Sequence, residues 1–434
     1  MHQLGFRLPE LLLPSSTVSR ETWPVVAWDQ FSAEPDYWHE VGRKVGTGTS
    51  TLQAIYPEAF LGAEDKEQRI RAIHTTMHQW LAEGILQPQP DGLMTVARTL
   101  PDGRVRRGIL LALDLEHYDY QPGSCSLIRP TEGTIVERLP ARVSIREQAP
   151  VEFPHIMVLI DDPEQSVIEP LFGMESTGIY NTPLMLQGGH LHGRCVSGEL
   201  ALPHLQTALE ALLLQAHAAA PSRPLYAVGD GNHSLAAAKA LWESIKPTLS
   251  GSDAEHPARY AMVELVNLHD EGLDFKAIHR LIQDMDAEAL IAALQVWGTA
   301  QGITIHREPL TSLDEATNWV ERHEDDALRF VVIDQKQITA FAMHGSVCRL
   351  AIELVQMFLD QMTIDRAIEI EYIHGDETLY TLSQKEGHSG ILLPALSRHH
   401  LFPAISQHGP LPRKAFSMGE AHEKRYYMEG RRIA

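Results

Sequence analysis

The chain has 434 residues, 44% of them apolar and 21% charged. This is the composition of a globular protein, not a disordered one, with room for two or three domains. Lys and Arg number 36 against 57 Asp and Glu, a formal charge of −21, which repels phosphate backbones and excludes a general nucleic-acid binder. No apolar run approaches the ~18 residues of a membrane helix, and the opening MHQLGFRLPELLLPSS is too broken by proline and charge for a signal-peptide core.

The first clear element is a helix over 65–82, where Ile70, Ile73, Met77 and Trp80 recur at helical spacing and Gly84 suits the C-cap. The runs 108–114, 155–160 and 225–228 are short and continuously apolar, the pattern of strands in a covered sheet. Helices are predicted over 202–219 and 234–245, and a strand over 260–266. Pro, Ser, Gly and Asp then cluster over 246–256, a weak boundary. Further on, helices are expected over 287–299, 313–322 and 347–361. Strands are expected over 329–333, 338–343, 368–373 and 391–393. Residues 272–280 (GLDFKAIHR) read as a loop entering a helix. The stretch from about 264 to 377 has the look of an inserted or second module, and the class is α/β or α+β.

Cys125, Cys195 and Cys348 stand far apart with no CxxC. Neither a disulfide framework nor a cysteine zinc site is expected, and a reducing cytoplasm fits best. The pair His190 and His192 has no third ligand near it by spacing, so a metal site there is disfavoured.

Two segments carry chemistry. In Leu225–Lys239 an apolar strand ends in Gly-Asp-Gly and a helix follows at once. Gly229 and Gly231 permit close approach to the main chain, and the helix N-terminus offers free N–H groups and partial positive charge, which together suit a phosphate. Asp230 is then a candidate for a metal ion or an attacking hydroxyl, and His233 for a phosphate. A plain strand–helix turn capped by Asn232 or Ser234 accounts for the same residues. In 128–146, Pro130 and Gly133 fix a loop around Thr131 and Glu132, followed by Arg138, Arg142 and Arg146. Pro140 suits the first turn of a helix, which puts Arg142 and Arg146 on one face at i, i+4. A carboxylate beside arginines resembles an ionised general base in an anion pocket, and equally a structural ion-pair network. A second basic cluster, 412–432, includes Arg413, Lys414 and Lys424 and is expected to fold back over an anionic ligand.

The run 126–134 (SLIRPTEGT), the arginines after it, Pro154–Asp162, the GDGNHS turn, the PRKAFSMGEA tail and the opening 26–38 (VAWDQFSAEPDYW) together resemble the uncharacterised family of domains of unknown function numbered ten-fifteen. More distantly, the chain resembles free-serine kinases of ParB/sulfiredoxin-like fold. Those enzymes carry a Pro-His-Glu segment with a catalytic Glu, here Pro130–Glu132. They carry Asp-Gly-His-His-Arg at the phosphate site, here Asp230–Ser234. They also carry a C-terminal Pro-Lys-Thr-Thr-Arg-His, here Pro412–Ser417. Ser234 replaces the arginine of the phosphate motif, and the arginine of the C-terminal motif is missing.

The resemblance implies a ParB/sulfiredoxin-like core over 121–263, after an N-terminal region 1–120 and before a C-terminal α/β module 264–434 whose tail returns to the site. It implies a small-molecule kinase using Mg²⁺ with ATP or ADP, with L-serine as the favoured acceptor. Glu132 is then the base. Asp230, Gly231, Asn232, His233 and Ser234 hold the nucleotide phosphates, and Asp230 holds the metal. Lys414 neutralises charge on the transferred group, and Thr131, Arg138, Arg142, Arg146 and Arg413 contact substrate or anion. A non-catalytic nucleotide-binding regulator and a nucleotide hydrolase are the alternatives.

Overall fold

The computed structural model describes residues 2–60, 65–249, 256–322, 326–365 and 368–434. The class is mixed α+β, with ten α-helices and several sheets among the described residues. The chain forms two compact units, the first made of 1–274, 405–409 and 419–434 and the second of 275–404 and 410–418.

The first unit is built on a nine-stranded sheet. Its main path runs Ile128–Pro130, Tyr226–Asp230, Met157–Ile160, Tyr260–Asn267, Val105–Asp114, Gly92–Thr99, His190–Ser197 and Ser176–Pro183. The apolar runs are continuous because both faces of this sheet are covered. In Val105–Asp114, Ile109, Leu111 and Leu113 enter a core with Val158, Val228 and Leu205, while Leu110 enters the opposite core with Trp23, Trp80 and Phe153. A four-stranded sheet, Leu86–Pro88, Leu11–Pro14, Gly430–Arg432 and Val151–Glu152, completes the unit. The strand Gly430–Arg432 is interior to it, paired with Leu11–Leu12 on one side and Val151–Glu152 on the other.

Sheet direction places the candidate site. Tyr226–Asp230 runs parallel to Ile128–Pro130, with Val228 opposite Pro130. It runs antiparallel to Met157–Ile160, with Asp230 opposite Met157. One sheet end therefore gathers the residues leaving two strands, Thr131–Glu132 and Gly231–Asn232, and those entering a third, Pro154–Ile156.

The second unit has a seven-stranded sheet, Thr304–Leu310, Ile338–His344, Leu328–Ile333, Ser389–Leu392, Phe275–Ile282 and Ile370–His374, with Phe416–Met418 also paired to Phe275–Ala277. Every pairing is antiparallel. Residues 272–280, read from sequence as a loop entering a helix, instead lead into the strand Phe275–Ile282. Three strand partners override the local preference of this segment. The buried Arg280 is accommodated because its guanidinium donates to the carbonyls of Ile278, Arg413 and Lys414 and to Gln356 Oε1. His279 is tied to Asp376 and to the Leu393 N–H. Among the described residues, no helix is long and apolar enough to cross a membrane.

Candidate functional site

The strand Tyr226–Asp230 ends at Gly231, which takes the left-handed conformation (φ 77°) and caps the helix Asn232–Ile245. A Cβ on Gly231 would lie 3.1 Å from both Cα and Cγ1 of Ile156. Glycine is needed there for its backbone freedom and for the close approach of the entering strand. Leu235, Ala236, Ala238, Leu241 and Trp242 bury one side of the helix in the core. Its N-terminal turn stays beside the loop that follows Pro130.

That loop is tied to the turn by three contacts. Asn232 Oδ1 accepts from the Thr131 N–H at 3.2 Å, Thr131 Oγ1 donates to the Val228 carbonyl at 2.7 Å, and His233 Nε2 accepts from the Ile135 N–H at 3.2 Å. Thr131 and Asn232 are buried, and Glu132 between them and the arginine helix is half-buried. Thr131, Asn232 and His233 therefore fix the carbonyl and amide framework that carries Glu132.

Arg142 and Arg146 lie on the helix Leu139–Arg146, with Pro140 in its first turn as read from sequence. Arg142 pairs with Glu58 at 3.6 Å and lies over the Trp28 ring at 4.9 Å. Arg146 pairs with Glu152, which also binds Arg431 Nε at 2.8 Å. Burial pushes the Glu152 carboxyl up, but Arg146 and Arg431 bring it below its ordinary value. Both arginines, with Trp28, His155 and Ser234, line one cavity of about 120 Å³. The side chain of Arg138 lies outside the described residues. Arg413 and Lys414 are exposed on the second unit.

The structure singles out Lys424 from the basic cluster 412–432 and adds His155, Asp29 and Tyr427, which sequence reading did not select. Lys424 Nζ lies 3.6 Å from Asp230 Oδ2, with the lysine side chain 8% exposed. His155 is buried, its Nδ1 2.9 Å from Tyr427 Oη and its Nε2 3.5 Å from Asp29 Oδ2 and 3.4 Å from Ser234 Oγ. Asp29 and His155 belong to segments quoted for their resemblance to the family, and Tyr427 lies in the basic cluster 412–432, but no spacing rule linked them to Asp230. Their common signal is a charged or hydrogen-bonding residue beside an otherwise apolar run.

Burial favours a neutral imidazole at His155, yet the charges of Asp29 and Asp230 and the bond to Asp29 raise its pKa above 6.5. Burial likewise pushes Asp29 up, but His155, Gln30 and Lys424 bring it well below the usual carboxylate range. The His155 contribution to stability is full below its unfolded value near 6.5 and is lost as pH rises through its raised folded value. The Asp29 contribution is full above 3.8 and is lost as pH falls through its lowered value. Thermal melts of wild type should decline as pH rises above 6.5, and Asp29→Asn should flatten that decline. An identical slope in the variant would remove the pair as its cause.

A family model described as "Protein of unknown function (DUF1015)" matches residues 12–368. The chain belongs to this family. No curated protein matches it. Among solved structures, a free serine kinase in complex with AMP is 10% identical, with a TM-score of 0.40 and coverage of 76% of this chain and 93% of that one. A mutant free serine kinase in complex with ADP gives 11% identity, a TM-score of 0.40 and the same coverage. A conserved hypothetical protein from Pyrococcus furiosus gives 11% identity and a TM-score of 0.37, covering 74% and 94%.

Among the described residues, no group of three or more His, Cys, Asp or Glu is arranged to hold a metal ion. The end of the strand Tyr226–Asp230 offers a carboxylate oxygen, Asp230 Oδ2, buried without a hydrogen-bond partner among the described residues. This suits Mg²⁺, which is commonly held by one or two carboxylates plus substrate phosphates.

Proposed function

We propose that this family member is a small-molecule kinase with a ParB/sulfiredoxin-like core, transferring a phosphoryl group from ATP or ADP to a hydroxyl, with L-serine the favoured acceptor. The observation that carries the reading is the Thr131–Asn232 connection, which ties the Glu132 loop to a glycine turn at a helix N-terminus. A candidate base and a candidate phosphate site are thereby held at one sheet end. The resemblance of Pro130–Glu132 and Asp230–Ser234 to the kinase motifs points the same way.

In this reading the N–H groups of the first helical turn receive phosphate oxygens, and Asp230 is the protein ligand for Mg²⁺. The metal, when bound, neutralises charge shared by the phosphate oxygens. Glu132 accepts the proton as the acceptor oxygen bonds to the terminal phosphorus. The bond from that phosphorus to the nucleotide's bridging oxygen breaks, and the nucleotide leaves one phosphate shorter. Arg142 and Arg146 line the cavity in which the carboxylate of the acceptor would lie, and Lys424 supplies positive charge beside Asp230. Ser234 in place of the motif arginine favours the second reading, a nucleotide-binding protein without transfer.

The test is to incubate the protein with Mg²⁺, ATP or ADP, and L-serine, and to look for O-phosphoserine by mass. Gly231→Val forces a branched side chain into a left-handed position against Ile156 and should abolish both product and nucleotide binding. Nucleotide bound without product supports the second reading, free phosphate supports a hydrolase, and unchanged affinity in Gly231→Val removes the nucleotide from this turn.

A further inference from the structure

The Lys424–Asp230 pair is unusual in what it leaves unmade. Its 3.6 Å separation is a charge contact too long for a hydrogen bond. Among the described residues, Asp230 Oδ2 is buried and accepts no hydrogen bond. The side chains are 8% and 16% exposed, so water is largely withheld from both. Among the described residues, Asp230 Oδ1 receives only the adjacent Gly231 N–H at 3.1 Å. Two opposite charges thus face each other across a gap at the start of a 14-residue helix; among the described residues neither has another ion-pair partner within 4.0 Å, with Asp29 and His155 acting on the pair from farther off.

A buried ion pair tolerates substitution of both partners far better than loss of one. A metal ion taking Asp230 by itself would strand a buried ammonium against a new positive charge. A phosphate taking Lys424 by itself would strand a buried carboxylate against a new negative charge. A metal–phosphate complex supplies both replacements together.

We propose that the Lys424–Asp230 pair makes this site selective for a divalent cation–polyphosphate complex over either ion alone, Lys424 passing to phosphate as Asp230 passes to the metal. This rests on the reading that nucleotide phosphates occupy the Gly231 turn. Lys424 is a binding residue here, and the C-terminal segment that carries it is part of the site.

The experiment is calorimetry with three probes, metal-free ADP in EDTA, Mn²⁺ alone, and Mn²⁺ with ADP, on wild type and each variant named below, all checked for folding by circular dichroism. In wild type, each ion alone should bind at least about tenfold more weakly than in the presence of the other, after correction for their association in solution; tenfold corresponds to about 1.4 kcal/mol. Asp230→Asn keeps the shape, needs no counter-charge and frees Lys424, so metal-free ADP should bind about tenfold more tightly than in wild type. Lys424→Met should give the matching gain for Mn²⁺ alone. If that variant does not fold, the Asp230→Asn result decides. The double variant should show neither gain. Wild type binding metal-free ADP as tightly as with Mn²⁺, or no gain in Asp230→Asn, overturns the proposal. Gly231→Val separates this failure from that of the nucleotide reading. If it retains Mn²⁺–ADP binding, the turn is not the phosphate site and both ideas fall. If it loses that binding while Asp230→Asn gains nothing, only the selectivity falls.

Discussion

Glu132→Gln is expected to cut turnover by ~10²–10⁴-fold while leaving nucleotide affinity unchanged, the usual scale of general-base catalysis. Gln retains the shape and the hydrogen-bonding reach of Glu but cannot take up the acceptor's proton. The loop should survive the change, because its backbone is held by Asn232 and His233 and not by the residue at 132 alone. A purely structural Glu132 gives the opposite pattern. Its loss then lowers stability by a few kcal/mol through an uncompensated partner charge, and activity falls only with the folded fraction. Melts and turnover measured on one preparation separate the two. Near-normal activity per folded molecule in a destabilised variant would end the catalytic assignment.

Arg425→Met is expected to destabilise the first unit by ~3–5 kcal/mol, the cost of breaking a buried ion pair from one side. Arg425 Nη1 lies 3.3 Å from Glu264 Oε2, Nη2 lies 2.6 Å from Glu429 Oε2, and Nε donates to the Pro154 carbonyl at 3.1 Å. All three charged side chains are 3% exposed or less, so the methionine leaves two carboxylates with little access to water. The segment also loses one of its anchors, the others including the bonds of Arg98 and Arg106 to the carbonyls of His422 and Glu423 and the Arg98 contact with the Tyr426 ring. Chemical denaturation followed by tryptophan fluorescence measures the loss. A change below ~1 kcal/mol, typical of a surface pair, would show that the two acids find other partners.

The parts of this molecule legible in the sequence are those fixed by neighbours along the chain. The strand ending in Gly-Asp-Gly and the helix after it follow from an apolar run, a left-handed glycine and a cap. Arg142 and Arg146 share a cavity because four residues are about one helical turn. Trp80 and Met77 are core residues for the same reason. What was hidden depends on sheet order. His155 meets the Asp230 turn only because Met157–Ile160 lies antiparallel beside Tyr226–Asp230. Asp29 and Lys424 come from opposite ends of the chain, and no periodicity relates them. Phe275–Ile282 was misread for a related reason, since its strand identity comes from three distant partners. The basic tail was recognised by charge, but charge alone did not distinguish the exposed Lys414 from the buried Lys424.

The interior position of the strand Gly430–Arg432 has a consequence for synthesis on the ribosome. Residues 1–274 emerge first, yet Leu11–Leu12 and Val151–Glu152 have no partner between them until 430–432 are made. Everything from 275 to 404 is translated in the meantime. A nascent chain therefore carries a first unit with an open seam while residues 275–429 are made, and exposed strand edges of this kind invite chaperone binding or aggregation. A product stopped short of 419 would keep the Asp230 turn and lack the lysine that faces it. The same closing segment thus completes a core and the Lys424–Asp230 contact, and an unfinished polypeptide has neither.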